Sequence, residues 1–341
     1  MSTPSVNGAG AEAGTRELTF AQAVNEAIAQ EMRRDKRVLV IGEDVAEAGT
    51  PFKVLSGLLE EFGPERVVDS PISEAGITGI GVGAAMTGMR PVVDIMFGDF
   101  LTLAMDQVVN QAAKVHYMSG GKLRVPMVVR TTMGATRRSA AQHSQSLHAW
   151  VSHVPGLKVA LPTTPADAKG LLTSAIRDDG PVVVFEDKMD YQVRGPVPEG
   201  EHAVPFGVAD IRREGTDVTL VATSSMVRVA LAAAELLEAE GIDAEVVDPR
   251  TMVPLDTETL VASARKTSRA IVIDEGYRRY GVTAELAAVI AEGAFYDLDA
   301  PVRRLGAADV PIPFSPALED VTVPTPELVA AAARELIRGK D

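Results

Sequence analysis

At 341 residues and 46% hydrophobic content, the chain is ordinary for a globular protein and long enough to build two cores. It has no cysteine, which excludes a disulfide framework and a thiolate metal site and fits a cytoplasmic location. A net charge of −14 argues against nucleic acid as a partner, and no apolar run approaches the roughly 18 residues that a membrane span needs.

The opening MSTPSVNGAGAEAGT is small and polar, without the charged start and apolar stretch of a secretory signal, and residues 1–15 read as a disordered leader. Thr19 and Gln22 form a capping-box pattern ahead of an amphipathic helix that runs to about Arg34. The strand RVLVIG follows, then a helix near 54–62, a short strand around Val67, a helix over about 73–87 and the strand PVVDIM. A long helix is predicted over 101–117, and PMVVRT, LKVAL and PVVVF are further short apolar runs bounded by Pro or Gly. Apolar runs of this length between helical patterns predict buried parallel strands.

The stretch 191–206, rich in Pro and Gly, reads as a linker between a first unit (16–190) and a second (207–341). The second unit alternates again. DVTLVAT, DAEVVD, AIVIDE and APVRRL read as strands, with helices over 225–240, 256–266 and 282–293 and from about Pro326. No short-period repeat is present. The expected fold class is α/β, with two open parallel-sheet domains and right-handed crossovers. The charge is lopsided, since residues 201–341 hold 24 acids against 14 Lys+Arg. That excess serves solubility or marks a basic protein partner.

Gly79, Gly81 and Ala84 spell G-x-G-x-x-A, with Asp94 further on, and superficially match a dinucleotide fingerprint. A true fingerprint turns from a strand into a helix, whereas these glycines lie inside the helical stretch SEAGITGIGVGAAMTG, and Asp94 falls within a strand pattern. Close helix packing, with Gly79 and Gly83 spaced for it, is the better reading.

Taken alone, the polar residues form no complete catalytic set. His116, His143, His148 and His153 lack metal-ligand spacing, and Ser224-Ser225 lies in no nucleophile-elbow context. What stands out is a series at strand ends, where open α/β sheets bind ligands. These are Glu43 in IGEDV, Glu74 in SPISEAG, Asp99-Phe100 in FGDF and His143 in AAQHSQ.

The strings DSPISEAGITGIGVGAAMTGMRP, DQVVNQAAKVHYMSGG, AAQHSQS, HVPGLKVALP and DAKGLLTSAIRDDGPVVVFE closely resemble the β subunit of the pyruvate, acetoin and branched-chain 2-oxo acid dehydrogenases. EVVDPRTMVPLD and DAPVRRLGAADVPIPFSPALED carry the likeness through the second unit. The resemblance implies a pyrimidine-binding transketolase-like domain followed by a transketolase C-terminal-like domain, with thiamine diphosphate as cofactor. Glu74 matches the family's cofactor glutamate, which hydrogen-bonds the aminopyrimidine; as a bare residue it would pass for a solvated helix-start acid. Phe100 matches the aromatic stacked on that ring, or else is an ordinary core Phe. Glu43 matches an acid near the cofactor on a proton path, or is a plain strand-end acid. His143 matches the active-site histidine that serves acyl transfer to lipoate. MGATRRS looks like a mobile active-site loop whose Arg137 and Arg138 meet a carboxylate substrate or an acidic partner. The positions of a family potassium site are Met127, Ala175, Ile176, Asp178 and Gly180, ligands through backbone carbonyls. Asp299 matches a contact with the subunit-binding domain of the lipoyl acyltransferase, or is a helix-end acid.

Enzymes of this class hold Mg2+ and the diphosphate with a Gly-Asp-Gly motif and an Asn. This chain has none, its nearest strings being GDF at 98–100 and DDG at 178–180. The resemblance therefore implies that an α subunit supplies the Mg2+ site in an α2β2 heterotetramer. Pyruvate leads as substrate, acetoin is close behind, and a branched-chain 2-oxo acid is third. The other classes open on sequence are a transketolase or deoxyxylulose phosphate synthase fragment and a non-catalytic α/β binding module.

Overall fold

A computed structural model of the chain describes residues 14–339. Residues 1–13 of the expected leader lie outside that range, and Thr15 already begins a strand, Thr15–Thr19, paired antiparallel with Arg194–Pro198. The capping box at Thr19 and Gln22 is formed and starts helix Phe20–Arg34, whose Phe20, Ala23, Val24, Ala27 and Ile28 face the core. Each reciprocal bond satisfies an N–H that the first helical turn leaves without a partner.

The first sheet has seven strands, in the order Thr251–Val253, Lys158–Ala160, Val182–Asp187, Val128–Met133, Arg90–Ile95, Val38–Gly42 and Val67–Asp69. All are parallel except Thr251–Val253, which pairs antiparallel with Lys158–Ala160. Apolar clusters cover both faces, one built on helices Phe20–Arg34 and Pro165–Arg177 and the other on helix Glu74–Met86. Two-sided burial explains why these strands read as unbroken apolar runs. The second sheet runs Arg303–Ala307, Ala270–Tyr277, Val218–Ala222, Ala244–Asp248 and Asp210–Arg213, the last being an antiparallel edge. It too has a core on each face.

Three details depart from expectation. The antiparallel edges were not legible, because each is short and pairs with a strand far away in sequence. The predicted helix over 101–117 is a 3₁₀ segment Gly98–Ala104, a π segment Asp106–Ala112 and a final α turn Ala113–Met118. The tight opening buries Asp99 beneath the strand ends, and wide π turns inside helices commonly mark functional sites. In helix Glu74–Met86 the close approach is at Gly81, where a β-carbon would lie 2.5 Å from Val93, whereas a β-carbon added at Gly83 would meet no other part of the described chain within 4 Å. Asp94 is buried and ion-paired to Arg130, which also grips Glu186, so it serves the core.

Polar contacts join the two sheets. Glu319 is fully buried and accepts from the backbone of Thr136 and from the Arg138 guanidinium. His148 lies 3.1 Å from Asp274, and Arg212 bonds Asp167 and Asp248. Leaving buried Glu319, Asp274 or Asp248 without its partner is costly, which favours a single relative placement of the sheets.

Candidate active site

The singled-out residues converge at the C-terminal ends of adjacent parallel strands. Glu43 directly follows Val38–Gly42, and Glu74 opens helix Glu74–Met86 just after Val67–Asp69. Ser73 caps that helix through Gly76, and a carboxylate in its first turn is favoured by the helix dipole. Glu74 is 8% exposed, and among the described residues no hydrogen-bond donor reaches its carboxylate. Burial, followed by the like charges of Asp44 and Glu74, raises the carboxyl of Glu43 above its ordinary range. The two acids are therefore electrostatic neighbours.

Beside them sits a knot of rings. Phe97 and Phe100, on the turn leaving Arg90–Ile95, meet His143 edge-on at centroid distances of 4.7 and 5.2 Å. Phe52 packs on Phe97 at 5.8 Å. The backbone beneath is fixed by buried Asp99, which accepts from the Gln145 side chain at 2.9 Å and its backbone N–H at 3.3 Å. Lys188 donates its ammonium to the His143 carbonyl and lies 5.5 Å over the Phe97 ring. Burial lowers the Lys188 pKa below its usual value.

The loop 134–146 is tied down at several points. Gly134 has φ +104°, and a β-carbon there would meet Glu275 Oε1 and Asp187 Oδ2 at 2.7 and 2.9 Å. Arg137 donates to the Lys188 carbonyl at 3.1 Å and lies over the Phe52 ring. Arg138 is engaged by Glu319 and Asp320.

Comparison with known proteins agrees with the geometry. The transketolase pyrimidine-binding domain family matches residues 16–194, and the transketolase C-terminal domain family matches residues 207–329. The acetoin:2,6-dichlorophenolindophenol oxidoreductase subunit beta of Bacillus subtilis (strain 168) is 48% identical over 334 residues, covering 94% of this chain and 98% of that protein. The mitochondrial pyruvate dehydrogenase E1 component subunit beta-1 of Arabidopsis thaliana is 48% identical over 333 residues, with 96% and 92% covered. This chain belongs to the β-subunit family of the 2-oxo acid dehydrogenases. The 2-oxoisovalerate dehydrogenase subunit beta of Bacillus subtilis (strain 168) is 44% identical over 321 residues, covering 94% of this chain and 98% of that one. Among solved structures, a split gene transketolase described as an inactive beta4 tetramer superposes with a TM-score of 0.77 at 25% identity, over 95% of this chain and 99% of that one.

Like its relatives in name, this β-subunit family member is a thiamine-diphosphate-associated oxidoreductase chain that works with an α subunit. Its remaining expected positions lie away from the strand ends. The carbonyls of Ala175, Ile176 and Asp178 gather at the C-terminal end of helix Pro165–Arg177, with Met127 tied alongside by Val182 N–H at 3.0 Å. Gly180 donates its N–H to the Asp178 carboxylate at 2.8 Å. Arg90 already donates to the Ile176 and Asp178 carbonyls at 3.0 and 2.8 Å, and Lys158 pairs with the Asp178 carboxylate. Asp299 is 58% exposed and ion-paired to Arg269 at 2.7 Å. Sequence reading missed Gln145, Lys188 and Glu275, and gave Asp99 no role of its own. Only Gln145 carried a signal, by adjoining His143 in AAQHSQS. Lys188 and Glu275 reach the site across long stretches of chain.

Proposed function

We propose that this chain is the β subunit of a thiamine-diphosphate-dependent pyruvate dehydrogenase component, passing the acyl group to a lipoyl acyltransferase. The observation that carries the reading is Glu74, a largely buried side chain whose carboxylate has no donor among the described residues, beside Glu43 and at the same edge of the sheet as the Phe97–Phe100–His143 knot. A carboxylate without a donor of its own is free to accept an N–H from a ligand, as the aminopyrimidine offers, and the half-buried Phe100 offers that ring an apolar wall. When bound, the cofactor supplies a thiazolium carbon acidic enough to become a nucleophile toward a 2-oxo group.

The chain's own residues do the rest. Glu74 would hold the pyrimidine ring by accepting a hydrogen bond from it, and its carboxylate would favour the tautomer able to act as an internal base. Burial and the nearby charges of Asp44 and Glu74 shift Glu43 toward its neutral form, which lessens the repulsion beside Glu74. His143 offers an imidazole for proton transfer during acyl transfer to the lipoyl group. Without a Gly-Asp-Gly motif the chain leaves Mg2+ and the diphosphate to an α subunit, in an α2β2 heterotetramer. The inactive beta4 tetramer of the split gene transketolase supports the idea that such a chain alone lacks activity.

The carbonyls of Met127, Ala175, Ile176, Asp178 and Gly180 are the candidate ligands of a potassium ion at a helix C-terminus that favours a cation, although Arg90 already bonds two of them. The ion would share this corner with Arg90. The same reading gives a pyrimidine-binding unit at 16–190, a linker at 191–206, a C-terminal unit at 207–341, and a place in the cytoplasm.

An acetoin dehydrogenase β subunit is the second reading, favoured by the 48% identity to the Bacillus subtilis oxidoreductase subunit. Co-expression with an α subunit, with assay of pyruvate, acetoin and branched-chain 2-oxo acids using an artificial electron acceptor, tests both. Highest kcat/KM on pyruvate supports the first reading and preference for acetoin the second, whereas no turnover of any of them contradicts both.

A further inference from the structure

We propose that Glu275 of the second sheet is a positioning residue for the segment carrying His143, and that it acts as a carboxylic acid sharing one proton with Asp187. The proposal rests on the reading that His143 serves the reaction. Glu275 Oε1 accepts from the Ser146 hydroxyl at 2.7 Å, and Oε2 accepts from Ser225 at 3.2 Å. Ser146 lies in AAQHSQS just after His143, whose carbonyl is gripped by Lys188, the residue next to Asp187. The segment is thus held at both ends, by residues 187–188 on one side and by Glu275 across the junction on the other.

Asp187 is fully buried and Glu275 is 6% exposed. Both aim an oxygen at Gly134, and Asp187 Oδ2 has no donor among the described residues. The charged groups around the pair are already committed. Asp190 is held by Arg228, Asp274 faces His148 and Thr223, Lys188 serves the His143 carbonyl, and Arg137 serves the Lys188 carbonyl. Among the described residues no cation forms an ion pair with Asp187 or Glu275. Two carboxylates converging at this junction repel each other when both are ionised, and a proton on Glu275 gives Asp187 the donor it lacks. Burial, then the Asp187 charge, pushes the Glu275 carboxyl well above its ordinary range, and burial raises Asp187 too. With folded-state values raised, the clamp is intact at lower pH and is lost as pH rises through them.

The test compares Glu275→Gln, Glu275→Ala and Ser146→Ala in the assembled α/β enzyme. Two quantities are measured in the same samples: kcat for lipoyl acylation against pH, and backbone hydrogen exchange over residues 138–147. Misplaced catalytic groups lose rate more than binding, so Glu275→Ala is expected to lower kcat about tenfold or more with KM changed less than about threefold. Exchange over 138–147 speeds up in that variant. Glu275→Gln, the isostere of the protonated acid, restores most of kcat, keeps exchange slow and removes the fall at alkaline pH. Ser146→Ala, which deletes one hydroxyl, shifts both readouts in the same direction as Glu275→Ala and guards against misfolding of the latter. If Glu275→Gln is as damaging as Glu275→Ala, or if Glu275→Ala leaves exchange unchanged, the proposal is overturned. A parallel His143→Ala enzyme separates the two readings. Wild-type acylation there defeats the role of His143, while the exchange data still decide the clamp.

Discussion

Phe100 and His143 meet edge to face with ring centroids 5.2 Å apart, each carried on the connection that leaves one of two neighbouring parallel strands. The strands Arg90–Ile95 and Val128–Met133 pair in register as far as Ile95 and Thr131, so the two connections emerge side by side. A parallel sheet brings chemistry from distant sequence to one edge in this way. The aromatic wall fixes where the imidazole sits, and the Lys188 and Gln145 contacts fix the backbone around it.

His143→Ala is expected to harm lipoyl acylation more than turnover with an artificial electron acceptor, because that acceptor bypasses transfer to the dithiolane. General acid–base catalysis contributes about 10²–10⁴-fold, so the acylation rate should fall by at least about 10²-fold. Both rates are measured on the same assembled enzyme. Equal losses would move His143 to substrate binding or to an earlier step.

Asp299 is paired with Arg269 and well exposed, so it is open to a docking partner. If the acidic second domain docks the basic subunit-binding domain of the acyltransferase, affinity should fall with salt. At the rim an exposed pair is worth about 1 kcal/mol or less, so Asp299→Ala should weaken binding by at most about fivefold, whereas a buried contact would cost about 2 kcal/mol or more. Arg269→Ala frees the carboxylate and should strengthen binding. Titration with the isolated binding domain at low and high salt decides, and affinity indifferent to salt and to both variants would reduce the acidity to a matter of solubility.

Asp248 offers a pH test of the inter-domain contacts. Burial raises its carboxyl from 3.8 to about 6, against the pull of Arg212. Because the folded value lies above the unfolded one, its contribution to stability is fully present below about pH 4 and is lost as pH rises toward 6. Asp248→Asn removes this dependence. The difference in Tm between wild type and Asp248→Asn should therefore change between pH 4 and pH 6 and level off above that. A constant difference across the window would refute the assignment.

Local signals carried most of the fold. The Thr19–Gln22 capping box, the Pro-initiated helices Pro165–Arg177 and Pro326–Arg338 and the apolar runs of the parallel strands each encode their own element within a few residues. The π turn at Asp106–Ala112 was hidden, because its side-chain pattern differs from that of an α-helix by a single residue per turn. The strand Thr251–Val253, which leaves the second unit to pair with Lys158–Ala160, was hidden for another reason. Its partner lies far away in the chain, and periodicity reports nothing about such pairing. The same limit separates the site residues. Glu74, Phe100 and His143 sit within recognisable strings, whereas Glu275 and Glu319 act on the 134–146 loop from the second domain and look like unremarkable acids in sequence.

The central claim is that Glu74 activates a bound thiamine cofactor through the aminopyrimidine. Hydrogen–deuterium exchange at the thiazolium carbon, measured in the assembled α/β enzyme carrying Glu74→Gln, tests it most directly. The amide keeps the size of the side chain but cannot favour the imino tautomer, so exchange should slow by orders of magnitude while the subunits stay assembled. Exchange at the wild-type rate in the variant would contradict the account.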